Sequence, residues 1–384
     1  MRVLFITHSF PRYPGDIAGV FLLRLARALA EYGTEVRVLA PAAPGLATQT
    51  MVDGTPVRFF RYGPRSWETL AYTGTMAEQV SGSMRGKAAF LCLLLGGRRA
   101  VKESVRTFAP DVVHAHWWLP SGISAASAHD GVPLVTTLHG SDVRLARRHP
   151  WARGLLRRVV RESAAVTAVS RWLADEATTI APLLQAQVEP MPVDIGHFEP
   201  ARARRTDRFL FVGRLNQQKG AEVLLNSLAA TTSGAQLDLV GEGPERTSLT
   251  QRAVTLGVTH RVVFHGALTQ PSLLPLYRAA AAVVIPSEGE GLGLVAAEAQ
   301  LCETPVIAFR SGGLPELVHD GETGVLTPLG DVLALARAMD EMIASPDRAR
   351  ALGVAGRRSA LERFSPAVVA ERYQRVYDRV VRAR

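Results

Sequence analysis

The chain has 384 residues, of which 47% are hydrophobic, so it is long enough for two ordinary domains with buried cores. Its two cysteines, Cys92 and Cys302, lie far apart, which argues against a disulfide framework and indicates a reducing cytoplasm. The formal net charge of +9 leaves nucleic acid, anionic lipid and phosphorylated substrates open as partners.

The amino-terminal residues lead straight into a strand-length apolar run without a small-residue cleavage site, so no signal peptide is predicted. The apolar run at 88–95 is far shorter than the ~20 residues that a membrane span needs. We therefore expect a cytoplasmic protein.

Short apolar strands alternate with amphipathic helices, which predicts an α/β fold with mostly parallel sheets. The first half opens with a strand at 2–7, a Pro/Gly-rich loop and a helix at 19–31 that ends at Gly33. Further strands of this half are predicted at 35–40, 111–115, 134–138 and 165–169. His116 and His139 follow two of these strands and are expected at the ligand-binding edge of the sheet. For His116, a bond to the backbone at a strand end is the alternative.

The segment 84–108 is apolar at its centre and is predicted to be helical. It could lie on a membrane surface, or it could pack against its own sheet with its arginine side chains directed outward. Both interpretations remain open. The cations that flank its leucines are Arg85, Lys87, Arg98, Arg99 and Lys102.

The alternation breaks over residues 191–208, where prolines and arginines cluster, and we predict an inter-domain linker there. A second α/β series then begins with a strand at 209–212 and ends in late helices. The predicted units are a first α/β domain at 1–200, a second at 201–364 and a carboxyl-terminal helix at 365–384.

The stretch 286–324 carries the clearest chemistry. A strand at 282–285 ends in a Ser/Glu/Gly loop, and a helix is predicted at 293–302, so its first free amides form an anion site. Glu290 and Glu298 flank this site. Because carboxylates repel phosphate, they suit the hydroxyl groups of a ribose and of a sugar. The pattern predicts a nucleotide-sugar as ligand.

Two cations follow the strand at 209–212. Arg214 and Lys219 lie five residues apart, between Gly213 and Gly220, and suit a diphosphate. A surface ion pair is the alternative interpretation. Glycine-rich turns follow two further strands, with Gly241 and Gly243 in the first and Leu268 at the end of the second, and they could read a nucleobase or be ordinary turns.

The motifs GRL…KG (213–220), VGEGP (240–244), VVFHGAL (262–268) and Glu-x7-Glu (290 and 298) occur in this order, followed by SGGLPELV and GETGVL. Together with HSFPRYPGD, HAHWW and HGSD, they make nearly the whole chain similar to the retaining glycosyltransferases of family 4. The resemblance implies a GT-B fold, in which two Rossmann-like domains face each other across a cleft. It implies that the domain at 1–200 lies on the acceptor side, that the domain at 201–364 binds the nucleotide-sugar, and that the helix at 365–384 crosses back to the first domain. It also implies transfer of a hexose-type sugar from a UDP- or GDP-sugar to an acceptor hydroxyl, without metal or cofactor.

The resemblance assigns catalytic functions to Arg214, Lys219, Glu290 and His139. The two cations hold the donor diphosphate, Glu290 contacts the donor sugar, and His139 lies near the reacting carbon. Glu298 binds the ribose. Contacts to the nucleotide-sugar are further implied for Gly19, Gly213, Gly241, Gly243, Leu268, Gly291, Leu292, Gly293 and Leu294, and contacts to the acceptor for His116 and Asp142. Many relatives have a Gly-Gly pair where this chain has Ala18 and Gly19.

The expected partners are the donor and a sugar, lipid-linked or small-molecule acceptor, with no nucleic acid and with contact to the inner face of a membrane left open. Two other function classes stand beside this one. The first is a nucleotide-sugar epimerase or phosphorylase on the same fold, and the second is a basic protein that binds membrane or nucleic acid. The sequence chooses neither the donor base nor the acceptor.

Overall fold

The computed structural model describes residues 1–72, 76–201 and 207–384. They divide into two units, one of Met1–Pro192 with Pro366–Arg384 and one of Val193–Ser365. Part of the predicted linker, residues 202–206, lies outside the described residues. Val193 joins the second unit, where its N–H donates to the Phe364 carbonyl (3.0 Å), so the second unit begins before residue 201.

The sheet of unit 1 is nearly all parallel. Its strands are β1 (Arg2–Ile6), β2 (Glu35–Pro41), β3 (Gln49–Val52), β4 (Thr55–Phe60), β5 (Val112–His116), β6 (Leu134–Leu138), β7 (Ala165–Ala168) and β8 (Ala186–Val188). In the described part of unit 1 the order is β3-β4-β2-β1-β5-β6-β7-β8. Only β3 and β4 pair in antiparallel fashion there, because a tight turn at Asp53 and Gly54, both with positive φ, joins them.

Unit 2 has a parallel sheet whose order reverses once. Its strands are β9 (Arg208–Val212), β10 (Gln236–Val240), β11 (Val262–Gly266), β12 (Ala282–Ile285), β13 (Val306–Phe309) and β14 (Gly324–Thr327). Among the residues described, the order is β11-β10-β9-β12-β13-β14. The direction changes between β9 and β12, and open α/β sheets bind ligands in the crevice at such a point. The loops after β9 and β12 are therefore the expected binding loops.

Helices follow most strands, as the alternating pattern predicted. The helices are α1 (Val20–Glu31), α2 (Met76–Gly82), α3 (Met84–Phe108), α4 (Ile123–Ala126), α5 (Ser141–Arg148), α6 (Pro150–Glu162), α7 (Arg171–Ile180), α8 (Ala221–Ala230), α9 (Arg246–Thr255), α10 (Gln270–Ala279), α11 (Leu294–Leu301), α12 (Leu314–Leu317), α13 (Val332–Ala344), α14 (Pro346–Phe364) and α15 (Pro366–Arg382). The predicted helix at 84–108 is α3, and the one at 293–302 is α11. The last helix, α15, returns to unit 1 and packs on α1 and β5.

Central strands are buried along their whole length. All five residues of β5 and of β6 are buried, as expected where helices cover both faces of a parallel sheet. In unit 2, Phe209 and Phe211 of β9 pack with Phe309 of β13 and with helix side chains in one apolar core. These cores fix the strand ends, and with them the positions of the loops that carry the polar side chains.

Candidate active site

The loops after β9 and β12 contact each other in unit 2. The backbone N–H of Glu288 donates to the Gln218 carbonyl (2.8 Å). Gly220 lies so close to the second loop that a Cβ there would be 2.1 Å from the Pro286 carbonyl oxygen. Only glycine permits this approach. The chain therefore brings the loop that carries Lys219 against the loop that carries Glu290.

Lys219 and Glu290 form an ion pair, with 2.7 Å between Nζ and Oε2. Their side chains are 24% and 17% exposed, so the pair is mostly shielded from solvent. The Asn216 side chain accepts the Lys219 backbone N–H (3.2 Å) and shapes the turn that presents the lysine. The sequence predicted both residues at one site but assigned them to different parts of a ligand, and the pairing itself was not predicted.

The amino end of α11 lies beside this pair. The Cβ position of Gly293, the residue that caps α11, is 3.6 Å from Glu290 Cγ. Since Gly293 has no side chain, the capping residue makes no side-chain hydrogen bond to the first amides of α11. The turn after β13 holds the loop in place, since Gly313 N–H donates to the Glu290 carbonyl and Gly289 N–H to Ser311 Oγ. Glu290 is therefore next to both Lys219 and the amino end of α11, the two positive groups of this site.

Glu298 lies further along α11 and is 9% exposed. The buried Tyr277 hydroxyl donates a hydrogen bond to Glu298 Oε2 (2.9 Å). Burial, and next to it the Glu298 carboxylate, raise the pKa of Tyr277 well above its ordinary value, so the phenol stays a donor. Sequence reasoning missed Tyr277, because nothing in the pattern tells which residue of α10 faces Glu298.

The glycines after β9 and β10 pack backbone against backbone. A Cβ on Gly241, which has a φ of 139°, would lie 1.8 Å from the Gly213 carbonyl oxygen. Gly213 N–H donates to the Val240 carbonyl, and Gly241 N–H to the Gly266 carbonyl. Close packing of neighbouring loops thus explains Gly241 without a ligand, whereas a Cβ on Gly213 would make only ordinary contacts. The contacts of both glycines with a nucleotide-sugar stay predictions.

The remaining predicted positions of this site lie on the loops after β9, β10, β11 and β12. Arg214 directly follows Gly213 and is partly exposed. Gly243, in the turn after β10, lies against Leu215. Leu292 and Leu294 flank the cap of α11, with Leu292 buried. Gly291 and Leu268 are partly exposed.

Unit 1 places His116 and His139 together at the end of β5 and β6. His116 Nδ1 is 3.3 Å from His139 Nε2. Trp117 stacks on the His139 ring, with 4.2 Å between ring centroids and 30° between the planes. Burial, and then the neighbouring imidazoles, hold the pKa of both histidines well below the ordinary value. Both rings are therefore neutral at pH 7.

Asp142 is a structural residue of the turn after β6. Its side chain is 4% exposed. Oδ1 accepts the backbone N–H groups of His139, Gly140 and Val143, and Oδ2 accepts that of Trp118. These four bonds give the carboxylate a structural function in the turn, and its predicted contact with an acceptor stays a prediction. His116 is fully buried and touches His139, and its predicted contact with an acceptor also stays a prediction.

Gly19, the other position predicted in unit 1, caps α1 in a left-handed conformation with a φ of 64°. Sequence reasoning missed Trp117, although HAHWW offers an aromatic residue directly after β5.

Within residues 1–72, 76–201 and 207–384, no group of three or more His, Cys, Asp and Glu side chains is placed to hold a metal ion. No helix in the described ranges is long and apolar enough to cross a bilayer.

Two family models match the chain, one in each half. The model described as glycosyltransferase family 4 matches residues 18–194. The model described as glycosyl transferases group 1 matches residues 206–345. The second match contains the loops with Lys219 and Glu290, and the first contains the histidine pair.

Relatives match over most of the chain. A glycogen synthase of Mycobacterium tuberculosis is 30% identical over 98% of this chain and 94% of its own length. A D-inositol 3-phosphate glycosyltransferase of Salinispora tropica is 33% identical over 91% of this chain and 77% of its own length.

Solved structures share the fold. Sucrose-phosphate synthase from Thermosynechococcus elongatus has a TM-score of 0.82 at 24% identity, over the whole of both chains. HepE of Anabaena, in complex with UDP and glucose, has a TM-score of 0.72 at 20% identity and covers 99% of this chain and 100% of its own. These likenesses confirm the predicted fold class.

Proposed function

Since the chain belongs to the group 1 and family 4 glycosyltransferases, we propose that it moves a hexose from a UDP- or GDP-sugar to an acceptor hydroxyl with retention of anomeric configuration. Hexosyl transfer of the GT-B type follows from the family, and the donor type and the stereochemistry are the proposal. One observation carries it: Lys219 and Glu290 meet beside the amino end of α11, at the point where the sheet order reverses.

The positive groups of this site suit a leaving diphosphate. When the bond between the anomeric carbon and the β-phosphate oxygen breaks, negative charge grows on that phosphate. Lys219, Arg214 and the first amides of α11 would stabilise this charge more in the transition state than in the bound donor. Two cations and a helix end would neutralise the negative charge on the diphosphate, as a divalent metal does in other enzymes. We therefore propose a reaction without metal or cofactor.

Glu290 would change partner when the donor binds. In the structure its carboxylate neutralises Lys219 at 2.7 Å. A diphosphate would take over the lysine, and the released carboxylate would accept hydrogen bonds from hydroxyls of the donor sugar. Glu298, already held by Tyr277, would accept those of the ribose.

The acceptor hydroxyl would attack the face of the sugar that the phosphate leaves. Its proton would pass to the departing phosphate oxygen, so charge and atoms balance without a base from the protein. HepE, which was solved with UDP and glucose, supports a UDP donor. The D-inositol 3-phosphate glycosyltransferases support a polyol-type acceptor.

Contact with an anionic membrane is a second proposal, and one face of α3 favours it. The inner face of α3 packs in unit 1 through buried side chains such as Leu93, Val101 and Phe108. Its outer face exposes Met84, Leu91 and Leu95, at 76%, 58% and 47%. Residues at this spacing share one side of a helix. Exposed cations on the same side are Lys87, Arg98, Lys102 and Arg106.

Product analysis tests the main proposal. The chain is incubated with each UDP- and GDP-hexose, alone and with polyol or sugar acceptors, and products are identified by NMR. We expect one donor to give an α- or β-glycoside of unchanged anomeric configuration, and only slow hydrolysis without acceptor. An altered nucleotide-sugar from donor alone would indicate an epimerase instead, and phosphate-dependent release of a sugar phosphate would indicate a phosphorylase.

A further inference from the structure

The contact between His116 and His139 constrains the protons of both rings. His116 is fully buried at the end of β5. Its Nδ1 faces His139 Nε2 at 3.3 Å. Its other nitrogen, Nε2, is buried and has no hydrogen-bond partner in the described chain. Phe5 meets the His116 ring edge-on, with 4.8 Å between the centroids, so apolar surface lies next to it.

Two neutral rings can share this hydrogen bond in two ways. In the first, His116 donates from Nδ1–H and His139 accepts at Nε2, which leaves the proton of His139 on Nδ1. In the second, His139 donates from Nε2–H, which forces the proton of His116 onto its buried Nε2. The second arrangement buries an N–H without an acceptor, and buried N–H groups without a partner are rare and unfavourable. The first leaves only a bare lone pair there.

We propose that His116 is a positioning residue that holds His139 in the Nδ1–H tautomer, so that His139 offers the substrate a hydrogen-bond donor and cannot act as its base. What His139 faces rests on the proposed function, whereas its tautomer follows from the contact alone. The donor suits an oxygen of the donor sugar or of the acceptor.

Other contacts fix the orientation of the His139 ring. The Asp142 carboxylate accepts the His139 backbone N–H at 3.2 Å, and Trp117 covers one face of the ring. With backbone, ring face and Nε2 all engaged, Nδ1 is the nitrogen left for a ligand. A neutral N–H donor agrees with a reaction in which the leaving phosphate takes the acceptor proton.

Nitrogen-15 NMR of the full chain, labelled at its ten histidines, tests the tautomer directly. The signal of His139 is assigned by its loss in His139→Asn. We expect a protonated Nδ1 and an unprotonated Nε2 on His139 at neutral pH. A proton on Nε2 would overturn the proposal. The measurement needs no substrate, so failure of the proposed function would not change its result. A proton on Nε2 would likewise leave the proposed function untouched.

A matched pair of variants tests the positioning. His116→Asn keeps an amide N–H near the place of Nδ1, whereas His116→Gln moves its amide to the place of Nε2. We expect His116→Asn to retain the tautomer and a kcat within about threefold of the parent, and His116→Gln to lose both, with kcat about tenfold lower and the donor KM unchanged. If both variants lost the tautomer and kcat to the same extent, His116 would contribute only to packing, which would contradict the proposal. If neither variant folds, the tautomer in the parent protein decides.

Discussion

Lys219 Nζ lies 2.7 Å from Glu290 Oε2, which joins two loops whose residues are 71 positions apart in the chain. The lysine is the cation that the proposed function assigns to the diphosphate, and the glutamate is the carboxylate that it assigns to the sugar. In the structure each neutralises the other. A diphosphate must therefore compete with Glu290 for Lys219.

The first prediction concerns this competition. Glu290→Gln removes the charge that holds Lys219, so we expect UDP or GDP alone to bind about three- to tenfold more tightly, and sugar transfer to slow by about 100-fold. Calorimetry and initial rates measure the two effects. Glu288→Gln, an exposed carboxylate of the same loop, is the control and should change neither. Weaker nucleotide binding by Glu290→Gln would contradict the competition.

The second prediction concerns Glu298 and the ribose. Glu298→Gln keeps an acceptor for the Tyr277 hydroxyl but weakens hydrogen bonds from ribose hydroxyls, so we expect about tenfold weaker binding of UDP or GDP. The loss should vanish with 2′,3′-dideoxynucleotides, which lack those hydroxyls. An equal loss with both nucleotides would show that Glu298 acts on the fold and leaves the ribose untouched.

The sequence predicted most of the strands, the domain type and the loops of the site, because buried runs and glycines signal them locally. It did not predict the short strands β3, β8 and β14. It predicted α3 to the residue, and it predicted His116 and His139 at one sheet edge. It did not predict that Lys219 pairs with Glu290 or that Tyr277 binds Glu298. Such pairs depend on how the loops close in space, and no local pattern contains that information.

Asp142 shows that residue type alone does not tell what a side chain bonds. An aspartate in HGSD after a strand is the residue type expected at a ligand edge, yet its carboxylate faces four backbone N–H groups. The turn of backbone that surrounds it cannot be read from residue types. The residue that contacts a ligand and the one that holds it in place look alike in sequence.

The third prediction tests membrane contact of α3. Replacing Lys87, Arg98 and Lys102 with Gln should weaken flotation with vesicles rich in anionic lipid by about 100-fold, since each cation near such a surface contributes about 1 kcal/mol. The control replaces Arg375, Arg379 and Arg382 of α15, exposed cations of the same unit, and should float like the parent. Unchanged flotation of the α3 variant would exclude this surface as the membrane contact.

The fourth prediction is a pH dependence of stability. Burial lowers the pKa of His114 to about 3, while its ring nitrogens bond Tyr377 and Thr137. In the unfolded chain His114 binds a proton below about pH 6.5, whereas in the folded protein it stays neutral down to about pH 3. The free energy of unfolding therefore decreases as the pH falls between these values, by up to about 1.4 kcal/mol per pH unit.

Urea unfolding between about pH 7.5 and 4.5 measures this slope. His114→Gln should be less stable than the parent at pH 7.5 but should lose less stability as the pH falls. The exposed His260, changed to Gln, serves as control and should keep the parent slope. An unchanged slope in His114→Gln would mean that another group governs the acid sensitivity.

Calorimetric binding of UDP and GDP, each compared with its monophosphate, tests the central claim most directly, in the parent chain and in Lys219→Ala and Arg214→Ala. We predict that the parent binds the preferred diphosphate at least about tenfold more tightly than the monophosphate, and that this ratio falls toward one in both variants. A parent chain that does not distinguish the two, or a ratio that survives both substitutions, would contradict the assignment of a diphosphate to this site.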